Sequence, residues 1–188
     1  LQAASAGGHE AVVKLLVGKG ADVNAQGRET HSCTALHLAA RGGHIDTFQY
    51  LVNIGLDLST LDAKGDGILC YASSGGSLGV LKATLNHDLT PPSKSMHWSP
   101  LHWACRSGNP EVVELLIKEG LRSECVTICE PLGQWSPLDI ANFHGHEEMV
   151  GNLSSSCRAL LGSETDTTRS PGKRHNGYQC DGCFHVSG

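Results

Sequence analysis

The sequence has few positive charges and no long apolar run. Lysine and arginine together number 14 of 188 residues, they form no cluster along the chain, and the formal net charge is −5. Because nucleic-acid binding needs concentrated positive charge opposite the phosphates, the sequence predicts no nucleic-acid partner. No apolar stretch approaches the roughly 18 residues that a membrane-spanning helix requires, so no membrane partner is predicted either.

The N-terminal residues also lack the pattern of a secretory signal peptide. Eight cysteines are present, and six of them stand singly in apolar-periodic stretches, where free thiols pack as small hydrophobic groups. This distribution is not that of a small secreted disulfide scaffold. We therefore expect a reducing, intracellular location, cytoplasmic or nuclear. Leu1 stands where an initiator methionine would stand, which predicts that the chain begins inside a longer one.

A repeat organises most of the chain. Glycines recur at separations of 35, 33, 32 and 37 residues, and a leucine precedes each of them by seven residues. The glycines are Gly8, Gly43, Gly76, Gly108 and Gly145. The surrounding segments are similar to one another, as "TALHLAARGGH", "SPLHWACRSGN" and "SPLDIANFHGH" show. Self-similarity at this period is typical of solenoid proteins, in which each unit buries its apolar faces against its neighbours.

The segment "SPLHWACRSGN" shows why one unit forms a helical hairpin. Ser99 can cap a helix N-terminus, and Pro100 suits the first helical position because it has no N–H group to leave unpaired. Leu101 and Ala104 then place apolar groups on one face. Gly108 is predicted to end the helix in a left-handed conformation. The following "PEVVELLIKEG" predicts a second apolar helix that ends at Gly120.

These segments resemble the ankyrin repeat, in register five times. The resemblance implies an all-α solenoid of about five helix-turn-helix units with short hairpin loops. We place the units near residues 1–33, 34–66, 67–98, 99–135 and 136–153, followed by a disordered linker over 154–174. The third unit departs from the pattern, because Gly67, Ile68 and Cys70 replace the usual cap, proline and histidine. Its first helix is therefore predicted to be the weakest.

The resemblance implies a non-enzymatic scaffold or adaptor that acts as a monomer and binds a protein partner. In ankyrin arrays the partner surface is usually formed by the hairpin tips and the exposed face of the first helices. By register, the partner-binding candidates at the tips are Arg28, Glu29, Lys64, Asp66, Trp98 and Trp135. Those on the adjoining helix face are Arg41, Arg106 and Phe143. Trp98 and Trp135 precede matching "SPL" segments, so either can instead pack between hairpins.

The C-terminal segment "RHNGYQCDGCF" differs in kind from the repeat. His175, Tyr178 and the run from Cys180 to Cys183 resemble the opening of a ZZ-type zinc finger, H-x-x-x-x-C-D-x-C. Cys180 and Cys183 are the candidate zinc ligands, but two thiolates do not complete the tetrahedral shell of a structural zinc. We therefore expect residues 175–188 to be an incomplete finger start. The alternative function is a zinc-binding adaptor in which a completed finger is the recognition module and the array a spacer.

Three further patterns admit a chemical interpretation, and each has a structural one that we favour. "GGSLG" around Ser77 matches a nucleophile elbow, but Ser77 falls in the turn between two helices of the repeat. His102 and Cys105 have helical i, i+3 spacing, but the repeat register directs Cys105 into the stack, where a thiolate is disfavoured. Cys125 and Cys129 have no second ligand pair, although metal or redox use of this pair stays open.

Overall fold

The computed structural model describes residues 1–27, 32–87, 98–121, 127–129 and 133–153. Within these residues ten helices follow one another in five pairs. The first helices of the pairs are α1 (Gln2–Ala6), α3 (Ala35–Gly42), α5 (Ile68–Gly75), α7 (Pro100–Ser107) and α9 (Pro137–Phe143). The second helices are α2 (Glu10–Gly18), α4 (Ile45–Asn53), α6 (Leu78–Leu85), α8 (Pro110–Lys118) and α10 (Glu147–Asn152). We number the units one to five by these pairs.

The helices form two parallel rows. Each first helix packs against the first helix of the next unit, from α1 through α9, and the second helices form the other row in the same order. Between units four and five, β1 (Thr127–Cys129) pairs with β2 (Gly133–Trp135) as an antiparallel hairpin. The prediction of an all-α solenoid with about five helical units and short hairpin loops is confirmed. The residue boundaries assigned to the units and the linker stay predictions.

The caps of α3 and α7 are built from a hydroxyl and a histidine. Thr34 Oγ1 lies 2.9 Å from His37 Nδ1, and Ser99 Oγ lies 2.7 Å from His102 Nδ1. Burial lowers the pKa of His37 to about 4, so its ring is neutral near pH 7 and Nδ1 accepts from the Thr34 backbone N–H at 3.3 Å. These pairs satisfy donors that a helix start leaves without partners.

Unit three forms its first helix without such a cap. The N-cap residue is Gly67, which has no side chain to cap the helix. α5 nevertheless has the same eight-residue length as α3. Ile68, Leu69 and Ala72 are buried in the common core. Because tertiary burial stabilises a helix more than its local propensity does, the packing of α5 between α3 and α7 explains its formation. The prediction that α5 is the weakest first helix stays a prediction.

Glycines end the first helices of the central units in the predicted left-handed conformation. The φ angles of Gly43, Gly76 and Gly108 are 72°, 69° and 71°. A residue with a Cβ atom is strained at such angles, which explains why glycine recurs at this register.

The residue after this turn connects three pairs of adjacent units. His44 Nε2 donates to the Ala6 carbonyl at 2.9 Å, and His146 Nε2 donates to the Arg106 carbonyl at 2.9 Å. The Asn109 side-chain amide donates to the carbonyl of Gly76 at 3.0 Å. These bonds join units one and two, four and five, and three and four. Ser77 occupies the same register in unit three, and in the described part of the chain no hydrogen bond joins its side chain to unit two.

Gly75 brings α5 against the backbone of α3. A Cβ atom at this position would lie 2.8 Å from the Ala40 carbonyl oxygen and closer still to the carbonyl oxygen of Arg41. Ser107, one unit later at the same register, does carry a Cβ atom, and its hydroxyl lies 3.5 Å from the Ser73 carbonyl oxygen. The α3–α5 contact is therefore closer here than the α5–α7 contact.

Candidate functional site

A pocket opens between three successive first helices, α3, α5 and α7. Its volume is about 170 Å³, and each of the three helices contributes polar side chains to it. The lining residues are Arg41, Cys70, Tyr71, Ser74, Trp103, Arg106 and Ser107. Arg41, Ser74 and Arg106 hold the same register, two residues before the glycines that end their helices. The repeat itself therefore brings these three side chains to one face.

Two indole rings hold the guanidinium group of Arg106. Its central carbon lies 5.5 Å from the centroid of the Trp103 ring and 5.7 Å from that of Trp98. The two indoles are 5.0 Å apart and tilted by 56°. Cation–π attraction favours this placement, since the ring faces carry partial negative charge. Arg106 is therefore positioned at the edge of the pocket before any ligand arrives.

The floor of the pocket rests on a buried polar network. Tyr71 donates its phenolic hydrogen to Asp62 Oδ2 at 2.7 Å, and Cys33 Sγ lies 2.9 Å from the same phenolic oxygen. Since the phenol has one hydrogen, the Cys33 thiol is the donor in the second contact. Asp62 Oδ1 accepts from the backbone N–H groups of Lys64 and Asp66, each at 2.8 Å. This network joins units two and three through their core.

Burial shifts the ionisation of the groups in this network. It raises the pKa of Asp66 to about 6, and the nearby charge of Asp62 adds to that shift. Burial also raises the pKa values of Tyr71 and Cys70, so both are neutral at physiological pH. The floor is therefore a fixed arrangement of hydrogen bonds with buried carboxylates behind it.

The structure brings some of the predicted partner-binding residues to one surface. Arg41 and Arg106 are half-buried and line the pocket, as expected of the adjoining helix face. Phe143 lies at the same register in α9 and its side chain is 62% exposed. Lys64 is half-buried in the turn between Asp62 and Asp66. Whether these residues bind a partner stays a prediction.

Two residues predicted at exposed hairpin tips are buried instead. Asp66 is 3% exposed because the turn folds back, with its N–H on Asp62 and its side chain under Trp103 and Cys70. Trp98 is 9% exposed because its ring packs against Trp103 and stacks on His102. The structure therefore places neither Asp66 nor Trp98 on an exposed surface, and Trp98 packs against two side chains of α7. Arg28, Glu29, the side chain of Trp135, Cys180 and Cys183 lie outside the described residues.

Sequence reasoning missed five lining residues of the pocket: Cys70, Tyr71, Ser74, Trp103 and Ser107. Tyr71 and Trp103 share one register, two residues after the repeated leucine, and Ser74 shares the register of Arg41. Reading each register across the units, rather than each unit alone, would have placed Ser74 beside the two arginines.

His102 and Cys105 do not form a nucleophile and base. Cys105 is fully buried, and burial raises the pKa of its thiol to about 12. His102 is fully buried as well, and its Nδ1 accepts from the Ser99 backbone N–H at 3.1 Å. Ser77 is the N-cap residue of α6 in the inter-helix turn, as its structural interpretation predicted. Cys125 and the side chain of Cys129 lie outside the described residues.

Within the part of the chain that the structure describes, no group of three or more His, Cys, Asp or Glu side chains is arranged to hold a metal ion. No described helix is long and apolar enough to span a bilayer.

The stacked helix pairs and the face that they share define an α-helical solenoid repeat protein. The family model for ankyrin repeats (three copies) matches residues 1–94, 50–128 and 69–167. The chain therefore belongs to the ankyrin repeat family. The crystal structure of the human ASB11 ankyrin repeat domain superimposes with a TM-score of 0.66 at 24% identity, over 85% of this chain and 66% of that one. That likeness supports the fold.

Curated relatives match the array at moderate identity. The ankyrin repeat domain-containing protein SAT10 of Stachybotrys chartarum is 27% identical over 162 residues, which cover 79% of this chain and 8% of SAT10. The palmitoyltransferase AKR1 of Lachancea kluyveri is 33% identical over 115 residues, 57% of this chain and 15% of AKR1. The transient receptor potential cation channel subfamily A member 1 of Drosophila melanogaster is 34% identical over 134 residues, 64% of this chain and 11% of the channel.

The chain thus spans less than a sixth of the length of these relatives. An ankyrin array is one part of each of them, whatever the rest of the protein does. The shared part generally mediates protein–protein interaction.

Proposed function

We propose that the chain is a non-enzymatic scaffold or adaptor that binds a protein partner along the face formed by its first helices. One observation carries the proposal: Arg41, Ser74, Arg106 and Phe143 hold one register in four successive units and reach the surface on that face. Aromatic and arginine side chains are the residues that contribute most to binding in protein interfaces. We infer that the chain acts as a monomer inside the cell, in the cytoplasm or nucleus, without nucleic acid as a ligand.

Site-specific photocrosslinking tests this proposal. With p-benzoylphenylalanine in place of Ser74 or Phe143, a crosslinked protein is expected that excess unmodified chain competes away. The matched control positions are Lys82 and Lys118, which are exposed on the second helices α6 and α8. Crosslinks are expected to be absent or much weaker there. Equal crosslinking from both rows, or none from the first-helix row, would overturn the assignment of the face.

The zinc-binding adaptor is the second candidate function, and the sequence of residues 175–188 carries it. We propose that Cys180 and Cys183 provide two of the four ligands of a tetrahedral zinc, which a completed finger would need from its remaining knuckles. Zinc, when bound, would fix the geometry of a recognition module. The ankyrin array would then serve only as a spacer.

Metal analysis of the purified chain tests whether Cys180 and Cys183 bind zinc without the remaining knuckles. For a plain scaffold we expect no stoichiometric zinc in the 188-residue chain, measured by elemental mass spectrometry, because two thiolates leave half of the shell unfilled. One zinc per chain that is lost in Cys180→Ser, but kept in the control Cys157→Ser outside the motif, would favour the adaptor instead.

A further inference from the structure

The pocket between α3, α5 and α7 combines two arginines, two serine hydroxyls and an indole wall. We propose that it binds an oxyanion on a side chain, phosphoserine or glutamate, within an extended segment of the protein partner. This inference rests on the proposed function, since it assigns the chemistry of one part of the same face.

The charge of the lining favours an anion. Arg41 enters from α3 and Arg106 from α7, on the two sides of α5, and Ser74 adds a hydroxyl group. The Ser107 hydroxyl lines the pocket as well but donates to the Ala104 carbonyl at 2.8 Å. Guanidinium groups present paired N–H donors whose geometry matches carboxylate and phosphate oxygens, and such charge-assisted bonds are among the strongest in proteins. The whole chain carries net charge −5, so this local concentration of positive charge stands against the overall balance.

The pocket is prepared for its ligand before binding. Trp98 and Trp103 hold the Arg106 guanidinium at 5.7 Å and 5.5 Å from their ring centroids. An arginine that is already positioned loses less side-chain entropy when it binds than one that moves freely in solvent. The indole of Trp103 and the buried Tyr71 and Cys70 also keep water from one side, which strengthens an ionic contact at that place.

The size of the pocket selects a side chain over a free metabolite. Its volume of about 170 Å³ holds a phosphate or carboxylate group, but it is smaller than the roughly 300–1,000 Å³ of typical small-molecule sites. Neighbouring helices pack about 8–10 Å apart, and an extended chain rises about 3.3 Å per residue. Each unit therefore matches about three residues of an extended segment that lies across the first helices.

Two buried carboxylates lie behind the pocket and oppose an anion. Asp62 accepts hydrogen bonds from Tyr71 and from two backbone N–H groups, which hold its charge away from the opening. Asp66 lies beneath Trp103 and Cys70 and is 3% exposed. Binding therefore depends on both arginines. If either one is lost, repulsion of the ligand by the two carboxylates outweighs its attraction to the remaining arginine.

Oriented peptide libraries test the proposal with the full chain immobilised. Four libraries of short degenerate peptides carry phosphoserine, glutamate, serine or lysine at the fixed central position. We expect the phosphoserine or the glutamate library to be retained at least tenfold more than the serine library, and the lysine library least. Retention is expected to fall when salt is raised from about 0.05 M to about 0.5 M, because added ions screen exposed charges.

Charge-removing variants locate the binding. Arg41→Gln and Arg106→Gln are each expected to reduce retention of the preferred library at least tenfold. Lys118→Gln removes the same charge from the exposed row of second helices and is expected to change nothing. Circular dichroism of each variant confirms that it is folded. Unchanged retention in a folded Arg41→Gln/Arg106→Gln double variant would overturn the proposal.

The remaining outcomes distinguish failure of the oxyanion-binding proposal from failure of the proposed protein-binding function. Equal retention of all four libraries overturns the pocket chemistry and leaves protein binding by the face intact. Inorganic phosphate that competes as well as the free phosphoserine peptide overturns the choice of a protein segment as the occupant. The proposed function itself is tested by the photocrosslinking experiment, and it fails if no crosslinks form at Ser74 and Phe143.

Discussion

Gly75→Ala is expected to lower the free energy of unfolding by about 3 kcal/mol, at the upper end of the range for overpacked sites. The added Cβ atom would lie 2.8 Å from the Ala40 carbonyl oxygen and nearer to that of Arg41. Both obstacles are main-chain atoms, so no flexible side chain can turn away. Relief requires α5 to move away from α3, which also opens the buried contacts between units two and three. Urea denaturation followed by circular dichroism measures the change.

Gly18→Ala is the matched control for this substitution. Gly18 is also the last residue of its helix, and a Cβ atom there would meet nothing within 4 Å. Since alanine is a better helix former than glycine, stability is expected to stay constant or rise by at most about 1 kcal/mol. If Gly75→Ala proved as harmless as Gly18→Ala, the α3–α5 contact would have to adopt the wider spacing that Ser107 permits between α5 and α7.

Tyr71→Phe is expected to cost about 2–3 kcal/mol, although it removes one oxygen atom. Its hydroxyl donates to Asp62 Oδ2 at 2.7 Å, and Asp62 is 7% exposed. Without that hydroxyl the buried carboxylate loses a donor that water cannot easily replace, and hydrogen bonds to charged groups contribute about 1.5–3 kcal/mol each. The thiol of Cys33 loses its acceptor in the same step. Chemical denaturation at neutral pH measures the loss.

Tyr50→Phe is the control, because Tyr50 is half-buried on α4 and keeps its ring beside Lys14, whose Nζ lies 5.4 Å from the centroid. Its cost is expected to stay within about 0.5 kcal/mol. In an Asp62→Asn background, Tyr71→Phe is expected to cost less than in the native chain, since the group left unpaired is neutral. A cost for Tyr71→Phe that equals that of Tyr50→Phe would contradict the coupling between Tyr71 and Asp62.

The fold could be predicted from the sequence because the residues that start and end each helix recur at the same period as the residues that pack between units. Ser99 and Pro100 start a helix for reasons that are visible in a single segment, and Gly108 ends it at a φ that only glycine adopts cheaply. The five-fold recurrence then implies that each unit packs against the next. Arg41 and Arg106 were predicted on the correct helix face for the same reason, since their register fixes their direction.

The details of the pocket depend on contacts between units that no single segment encodes. The repeat places Asp66 in a turn, which predicts an exposed residue, but its N–H donates to Asp62 Oδ1 and its side chain is buried. Trp98 is buried because Trp103 and His102, from the following helix, cover its ring. α5 forms without a cap because its neighbours bury it on both sides, a contribution that local propensity does not include.

The hydrogen bonds between units also determine which units are interchangeable. His44, Asn109 and His146 each donate to a backbone carbonyl of the preceding unit, and a residue carries that group whatever its side chain. The junction between units two and three instead uses Tyr71, which matches two particular side chains, Cys33 and Asp62. The hydrogen bonds at three junctions therefore do not depend on the side chains of the preceding unit, whereas the junction between units two and three requires particular side chains in its neighbour. The order of the array is thus fixed at its centre, next to the pocket.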